Sequence, residues 1–395
     1  MAKTEQISKV DDLCAQGKYQ QAAEECIRVL GQTQDDSGER AIALLKLGRL
    51  QDRLHNLEKA VEYLRQSVEI SAKVFGDNNQ KTAEAMSALA ISLAALGEFN
   101  EAEQLVDAAT KIRCQSYGVD SPEAADAYDE HGLVHLTCGH PQEAEKSLVK
   151  AMGIRRRAQG KSHKDYAISM RNTAILRQKE GKVFLSEPLY NESAEILKRS
   201  LGKDHPEVGI SLDLLAEQQF ERKRPMEAEK NWRRVKEILA SALPEEHPQR
   251  IALLNRLAAC ALVLRTAQEA TELYTEALAI CDRAYEEDTV FKLDAVLGLG
   301  LTYLRDNQFA LAEPHVKRGL KMIENLSDRE MRLENLLIDK LLTIYIFQGK
   351  IGDALLLIPN SLRAKHTADF NDTMDLAYQL ANVIRKSIGK EPLKH

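Results

Sequence analysis

A small residue recurs along this chain at an almost constant step. It falls at Ala22, Ala60, Ala102, Ala144, Ser186, Ala228, Ala270, Ala312 and Ala354; the first step is 38 residues and each later one is 42. A second small position lies twelve residues earlier in most units, at Gly48, Ala90, Gly132, Ala174, Ala216, Ala258 and Gly300, with Val10 and Leu342 in its place at the two ends. Such a period marks a repeat architecture, in which each unit is one supersecondary element that buries its apolar face only against its neighbours. Nine units tile the chain: an atypical first one, then eight regular repeats, numbered one to eight from the unit bearing Ala60.

Two blocks of apolar residues at helical spacing make up a unit. In repeat five, Pro206 to Arg222 carries Val208, Leu212, Leu215, Ala216 and Gln219, and Met226 to Leu243 carries Ala228, Trp232, Val235, Ile238 and Leu239. No window alternates with period two, so strands are not expected. Gly17, Gly97, Gly139, Gly181 and Gly349 stand between the two blocks, where a left-handed helix stop favours glycine. The links between units read Ser121-Pro122, His205-Pro206 and His247-Pro248, with proline suited to the first helical position. His163, His205 and His247 are one repeat apart and read as helix starts, not as a histidine cluster. The two small positions, one on each helix, would let the backbones cross closely enough for neighbouring Leu and Ile to interlock.

Three segments are expected: an atypical N-terminal repeat over 1–36, the 42-residue repeats over 37–366, and a C-terminal capping helix and tail over 367–395. The capping helix would run from Asp372 to Ile388, with Met374, Leu376, Ala377, Leu380, Ala381, Val383 and Ile384 at helical spacing. The repeat before it is unusually apolar, with Leu336, Leu337, Ile338, Leu341, Leu342, Ile344, Ile346 and Phe347. That surface is either covered by the capping helix or is where a second copy would dock to form a homo-oligomer.

Composition excludes several classes. With 44% hydrophobic and 29% charged residues the chain has what a folded core requires, and a formal net charge of -6 gives no general attraction for nucleic acid. No apolar run approaches the roughly 20 residues of a membrane helix. Met1 to Val10 lacks the apolar stretch of a secretory signal, and the six cysteines show no Cys-x-x-Cys spacing. Reduced thiols in a cytoplasmic setting are the expectation.

The phrase around Gly97-Glu98-Phe99-Asn100-Glu101-Ala102 and the stretch Leu201-Gly202-Lys203-Asp204-His205-Pro206-Glu207-Val208 resemble tetratricopeptide repeats of the 42-residue kinesin-light-chain type, from about Gln6 to Leu362. The resemblance implies an all-α, right-handed solenoid of about nine helical hairpins, closed by the capping helix, whose concave groove is lined by the first helix of each hairpin. It also implies a non-enzymatic scaffold or adaptor that holds a peptide or protein segment in that groove. In the light-chain family the first helix often reads Leu-Asn-Asn-Leu-Ala, with the asparagines on the groove. Of the matching positions only Asn172 and Asn255 keep the amide. Asp129, Asp213 and Glu217 occupy positions where a carboxylate clamp would need Lys and Asn, so recruitment of an Hsp90-type tail is not expected. The alternative function is a regulator switched by a small signal peptide, though such regulators usually carry an N-terminal effector module for which the repeats leave no room.

Charge is uneven along the chain, -9 over residues 1–150 and +5 over 151–250. Arg171, Lys179 and Arg256 are expected on or near the groove beside Asn172 and Asn255. An acidic or phosphorylated segment near repeats four to six is therefore one reading, since guanidinium forks match such groups bidentately; a solvated mixed-charge surface is the other. Arg155-Arg156-Arg157 and Arg233-Arg234 fall in second helices and are expected on the outer surface.

One constellation bears on metal chemistry. His131, His135, Cys138 and His140 follow His-x3-His-x2-Cys-x-His, and the first three would share a face of one helix. Gly132 stands where a zincin would carry its general base. Ligands along one helix do not converge from two elements, and His131 holds an inward position occupied by Leu in other units, so buried, hydrogen-bonded imidazoles are the preferred reading. No phosphate loop, nucleophile elbow or carboxylate pair appears, and no cofactor is expected.

Overall fold

A computed structural model of the chain describes residues 2–16, 18–264, 266–285, 289–325 and 331–350, with positions 353, 354 and 357. Among the described residues there are seventeen α-helices and no strand. The atypical first hairpin pairs α1 (Ala2–Ala15) with α2 (Tyr19–Leu30). Repeats one to four are α3 (Gly38–Arg53) with α4 (Leu57–Phe75), α5 (Gln80–Leu96) with α6 (Phe99–Tyr117), α7 (Pro122–Thr137) with α8 (Pro141–Ala158), and α9 (Lys164–Lys179) with α10 (Val183–Leu201). Repeats five to seven are α11 (Pro206–Glu221) with α12 (Pro225–Ala242), α13 (Pro248–Val263) with α14 (Ala267–Ala284), and α15 (Val290–Arg305) with α16 (Phe309–Asn325). α17 (Met331–Gln348) opens the eighth. The shortened first period has a structural counterpart, because α2 has 12 residues where α4 and α6 have 19.

The helices group into two compact units, Met1–Arg250 and Ile251–His395. The expected N-terminal boundary falls in the link between α2 and α3. The boundary at 366, the capping helix, Gly17 and the side chain of Leu336 lie outside the described residues.

Both small positions sit where the helices of a hairpin cross. The series from Ala22 to Ala354 is buried throughout. A Cβ placed on Gly132 would come within 2.5 Å of Leu148 Cγ and 3.2 Å of the Ala144 carbonyl oxygen, and Gly48 meets Leu64 and Ala60 in the same way. The glycine thus admits a leucine from the partner helix, which is ridge-into-groove packing set by one missing methyl. The core continues from hairpin to hairpin, since residues of α3 to α7 share one cluster around Leu64, Leu89, Leu93 and Val106.

Local chemistry starts and stops each helix. Ser37, Asn79, Ser121, His163 and His205 hold the same register, and each side chain accepts a backbone N–H of the first turn. His247 does the same, with Nδ1 accepting from Gln249 N at 3.1 Å. The three in-phase histidines are caps, as their spacing predicts. At the turn inside a hairpin Gly97, Gly139, Gly181 and Gly349 adopt positive φ, but His55, Lys223 and Asn307 take the same left-handed conformation in repeats one, five and seven. A further in-phase series, Gly76, Gly118, Gly160 and Gly202, supplies the positive φ of the links between hairpins.

In the second unit Leu337, Leu341 and Ile344 of α17 are buried within the unit. They join one cluster with Val296 and Val316, while Leu342, Ile346 and Phe347 are partly buried against it. Neighbouring helices therefore take up much of the apolar surface that the sequence leaves open to a second copy.

Candidate functional site

First helices of neighbouring repeats touch directly in the first unit, α3 with α5, α5 with α7 and α7 with α9. They form the inner face, where the groove residues are expected. Most of those residues are already engaged. Asp129 is buried on α7, ion-paired with Arg155 Nη1 at 2.7 Å, and accepts from the Ser169 hydroxyl of α9. Burial pushes its carboxyl up to about 6, against the opposing pull of Arg155, Ser169 and Asn172. Arg171 is buried on α9, ion-paired with the Glu207 carboxylate of α11 at 2.8 Å, and donates to the Glu207 backbone carbonyl at 3.2 Å. Asn172 lies beside it, also buried. Asp213 accepts from Trp232 Nε1 at 2.9 Å. Glu217 is half-buried near Tyr190, and Lys179 is exposed at the end of α9. The expectation that Arg171 offers its charge to an acidic guest is corrected: a buried guanidinium needs its counter-charge at once, and Glu207 supplies it.

Glu207 has a second cation. Arg53, at the end of α3, donates to it at 3.0 Å across 154 residues of sequence, and also to the Tyr19 hydroxyl at 3.1 Å. The same residue's carbonyl accepts from His247 Nε2 at 3.1 Å. Burial disfavours the Glu207 charge, yet Arg171 and Arg53 outweigh it and hold the carboxyl at about 2. Burial pulls His247 from the ordinary 6.5 down to about 4. The first unit therefore curls until repeats one and five meet. A cavity of about 380 Å³ remains at the junction, bordered by Asp11, Lys46, Arg49, Arg53, Lys164 and Glu207.

In the second unit the expected residues border open space. Asn255 on α13 donates its amide to the Phe291 carbonyl at 2.9 Å. With Arg256, Ala252, Phe291, Asp294 and Gly298 it lines a cavity of about 430 Å³ between α13 and α15. Gly298 carries no Cβ because the Tyr274 ring lies over it: a methyl there would come within 2.2 Å of Cζ. Burial raises the Asp294 carboxyl, opposed by Arg256. This is a pocket with an apolar floor and a cation, an amide and a carboxyl on its walls.

One further charge assignment needs correction. Arg155 is not outer-surface charge; it is buried, bridging Asp126, Asp129 and the Asp165 carbonyl. Arg113, one repeat earlier, is buried in the same way against Glu130 and the Glu123 carbonyl. That 42-residue spacing of two arginines is the signal the sequence carried. Arg156 and Arg157 are exposed, and Arg233 and Arg234 pair with carboxylates at an outer cleft of about 540 Å³ that also bears Lys198, Lys203 and Lys230.

The histidine constellation is assembled differently from its sequence pattern. His131 and His135 share a face of α7, with ring centroids 4.3 Å apart, and they meet Glu103 and Asp107 of the packed helix α6. Burial, then His135, lowers the His131 value. Cys138 is not part of the group: its thiol packs against the apolar cluster of repeats one to three, and burial raises its pKa. The carboxylates from a second element, four residues apart on α6, were the missing members.

These observations define an all-α protein of stacked helical hairpins with concave polar faces. A sequence model described as tetratricopeptide repeat matches residues 8–73, 41–115 and 249–325, and these stretches are tetratricopeptide repeats. No curated protein matches at the level of sequence. Among solved structures, the anaphase-promoting-complex hetero-tetramer Cut9–Hcn1 is 12% identical with a TM-score of 0.59, covering 86% of this chain and 55% of that one. A signal-transduction ATPase with a tetratricopeptide-repeat sensor from Pyrococcus horikoshii is 13% identical with a TM-score of 0.57, covering 92% and 54%. The chain is also similar to a putative kinesin light chain of Podosopora anserina with nearly identical repeats, at 23% identity and a TM-score of 0.43, covering 53% of this chain and 99% of that one.

Proposed function

We propose that this protein is an interaction scaffold whose second unit takes up an extended peptide segment of a partner along α13 and α15. The tetratricopeptide fold is typical of non-enzymatic protein–protein interaction scaffolds. The observation that carries the finer reading is the cavity bordered by Asn255, Arg256, Phe291 and Asp294. Its apolar floor suits an anchoring side chain, and its amide and guanidinium suit the guest's backbone and an acidic or phosphorylated side chain. Six free cysteines agree with a cytoplasmic setting, and no described helix is long and apolar enough to cross a membrane.

Selection of peptides from a displayed library on the full chain, followed by fluorescence anisotropy, tests this. Arg256→Glu is expected to weaken the selected peptides by about tenfold or more, a change of roughly 1.4 kcal/mol, and Lys179→Glu to leave them unchanged. Equal binding by Arg256→Glu would refute the site. Capture of one short free peptide in place of partner proteins would mark a peptide-switched regulator instead.

A further inference from the structure

We propose that His131, His135 and Asp107 form a binding site for a zinc-class divalent cation between repeats two and three. Asp107 Oδ1 of α6 lies 3.0 Å from His131 Nε2 and 3.0 Å from His135 Nε2 of α7. Metal–ligand bonds of about 2.0–2.1 Å set neighbouring ligand atoms roughly 2.9–3.4 Å apart, so these spacings are already those of one coordination polyhedron. Two imidazoles at i and i+4 plus a carboxylate from a second helix is a donor set that suits zinc.

The surroundings point the same way. His131 Nδ1 is 2.9 Å from the Ser147 hydroxyl, which leaves Nε2 to the ion. His135 is 7% exposed, and its Nδ1 is buried without a hydrogen bond, with Glu103 Oε1 3.3 Å away. A neutral imidazole has one N–H, so with a carboxylate oxygen against each nitrogen of His135 one contact must set lone pair against lone pair. A cation at Nε2 removes the conflict, since the ring proton then sits on Nδ1 facing the Glu103 carboxylate, which a small rotation would bring into a hydrogen bond. The convergence of a second imidazole on the same Asp107 oxygen favours a metal ion over a proton. His140 holds Glu103 from the far side. Asp107 is the solvent-facing member, 58% exposed, and provides the entry path.

The test is titration of the chelator-treated full chain with Co²⁺, read by its visible absorption, and displacement by Zn²⁺. One equivalent per chain is expected, with the bands abolished by Zn²⁺. Asp107→Asn, an exposed substitution that leaves the fold intact, and His135→Gln are each expected to lower affinity at least tenfold. Glu103→Gln should lower it by about tenfold through loss of orientation, and His163→Gln not at all. Far-UV circular dichroism checks that each variant is folded. Absence of a stoichiometric Co²⁺ spectrum, or unchanged affinity in Asp107→Asn, would overturn the site.

Discussion

In the first unit the inner face consumes its own charges: Glu207 is clasped by Arg171 and Arg53, and Asp129 by Arg155. In the second unit Asn255, in the register of Arg171, donates to the Phe291 carbonyl, and with Arg256 and Asp294 it lines a cavity of about 430 Å³. The hairpins are alike, so the repeat does not decide whether an inner face closes on itself or borders a cavity. A few polar side chains and the curvature that brings distant repeats together decide it. A concave face is available to a guest only where the chain has not already filled it.

The largest effect is expected from breaking the clasp. Glu207→Gln leaves the buried Arg171 uncompensated and should destabilise the first unit by about 3–5 kcal/mol. Native-state hydrogen exchange of α3, α9 and α11 would register this while the second unit keeps its protection. Asn255→Ala, the counterpart in the second unit, removes one hydrogen bond to the Phe291 carbonyl and should cost about 1–3 kcal/mol. Equal costs would erase the contrast between the units.

Acid should act on the first unit through the same contacts. His247 is held below its ordinary value, so the unfolded chain binds the proton first. Its contribution is complete above about pH 6.5 and is lost as the pH falls through about 4, with an upper bound of about 3 kcal/mol. Glu207 adds a further loss as the pH falls from about 4.5 through 2. Asp129 runs the other way, because its raised value makes the folded form take up a proton near pH 6. His247→Gln should therefore flatten the fall in urea midpoint between pH 6.5 and 4, and an unchanged slope would remove His247 from the closure.

The hairpin crossing should behave alike in both units. Ala228→Leu and Ala270→Leu each overpack a fully buried site and should cost about 1–3 kcal/mol, measured by thermal melting. The smallest effect concerns the turns. Lys223 (φ 61°) and Asn307 (φ 57°) both stand in the left-handed conformation that glycine takes elsewhere. Lys223→Gly should stabilise the first unit by about 0.5 kcal/mol, and Asn307→Gly the second by less, because Asn tolerates this conformation better.

Much of the fold was legible because its determinants are local or strictly periodic. The crossings at Gly48/Ala60 and Gly132/Ala144, the histidine caps and the left-handed glycines each depend on residues within one unit. The charged residues were not legible in the same way. Nothing near Arg171 in sequence announces Glu207, 36 residues on, and nothing near Arg53 announces it at 154. The histidine pattern was visible along α7, but its chemistry depends on Asp107 and Glu103, which reach it only because α6 packs against α7.

By itself the sequence determined the repeat, its helices, their ends and the points where they cross, since these follow from side-chain size and hydrogen bonding within about 40 residues. Tertiary structure alone decided which charges are paired, where cavities remain along the inner faces and which carboxylates join the histidines. Those outcomes depend on small rotations that accumulate from hairpin to hairpin, and a charge far along the chain becomes a neighbour only once that sum is complete.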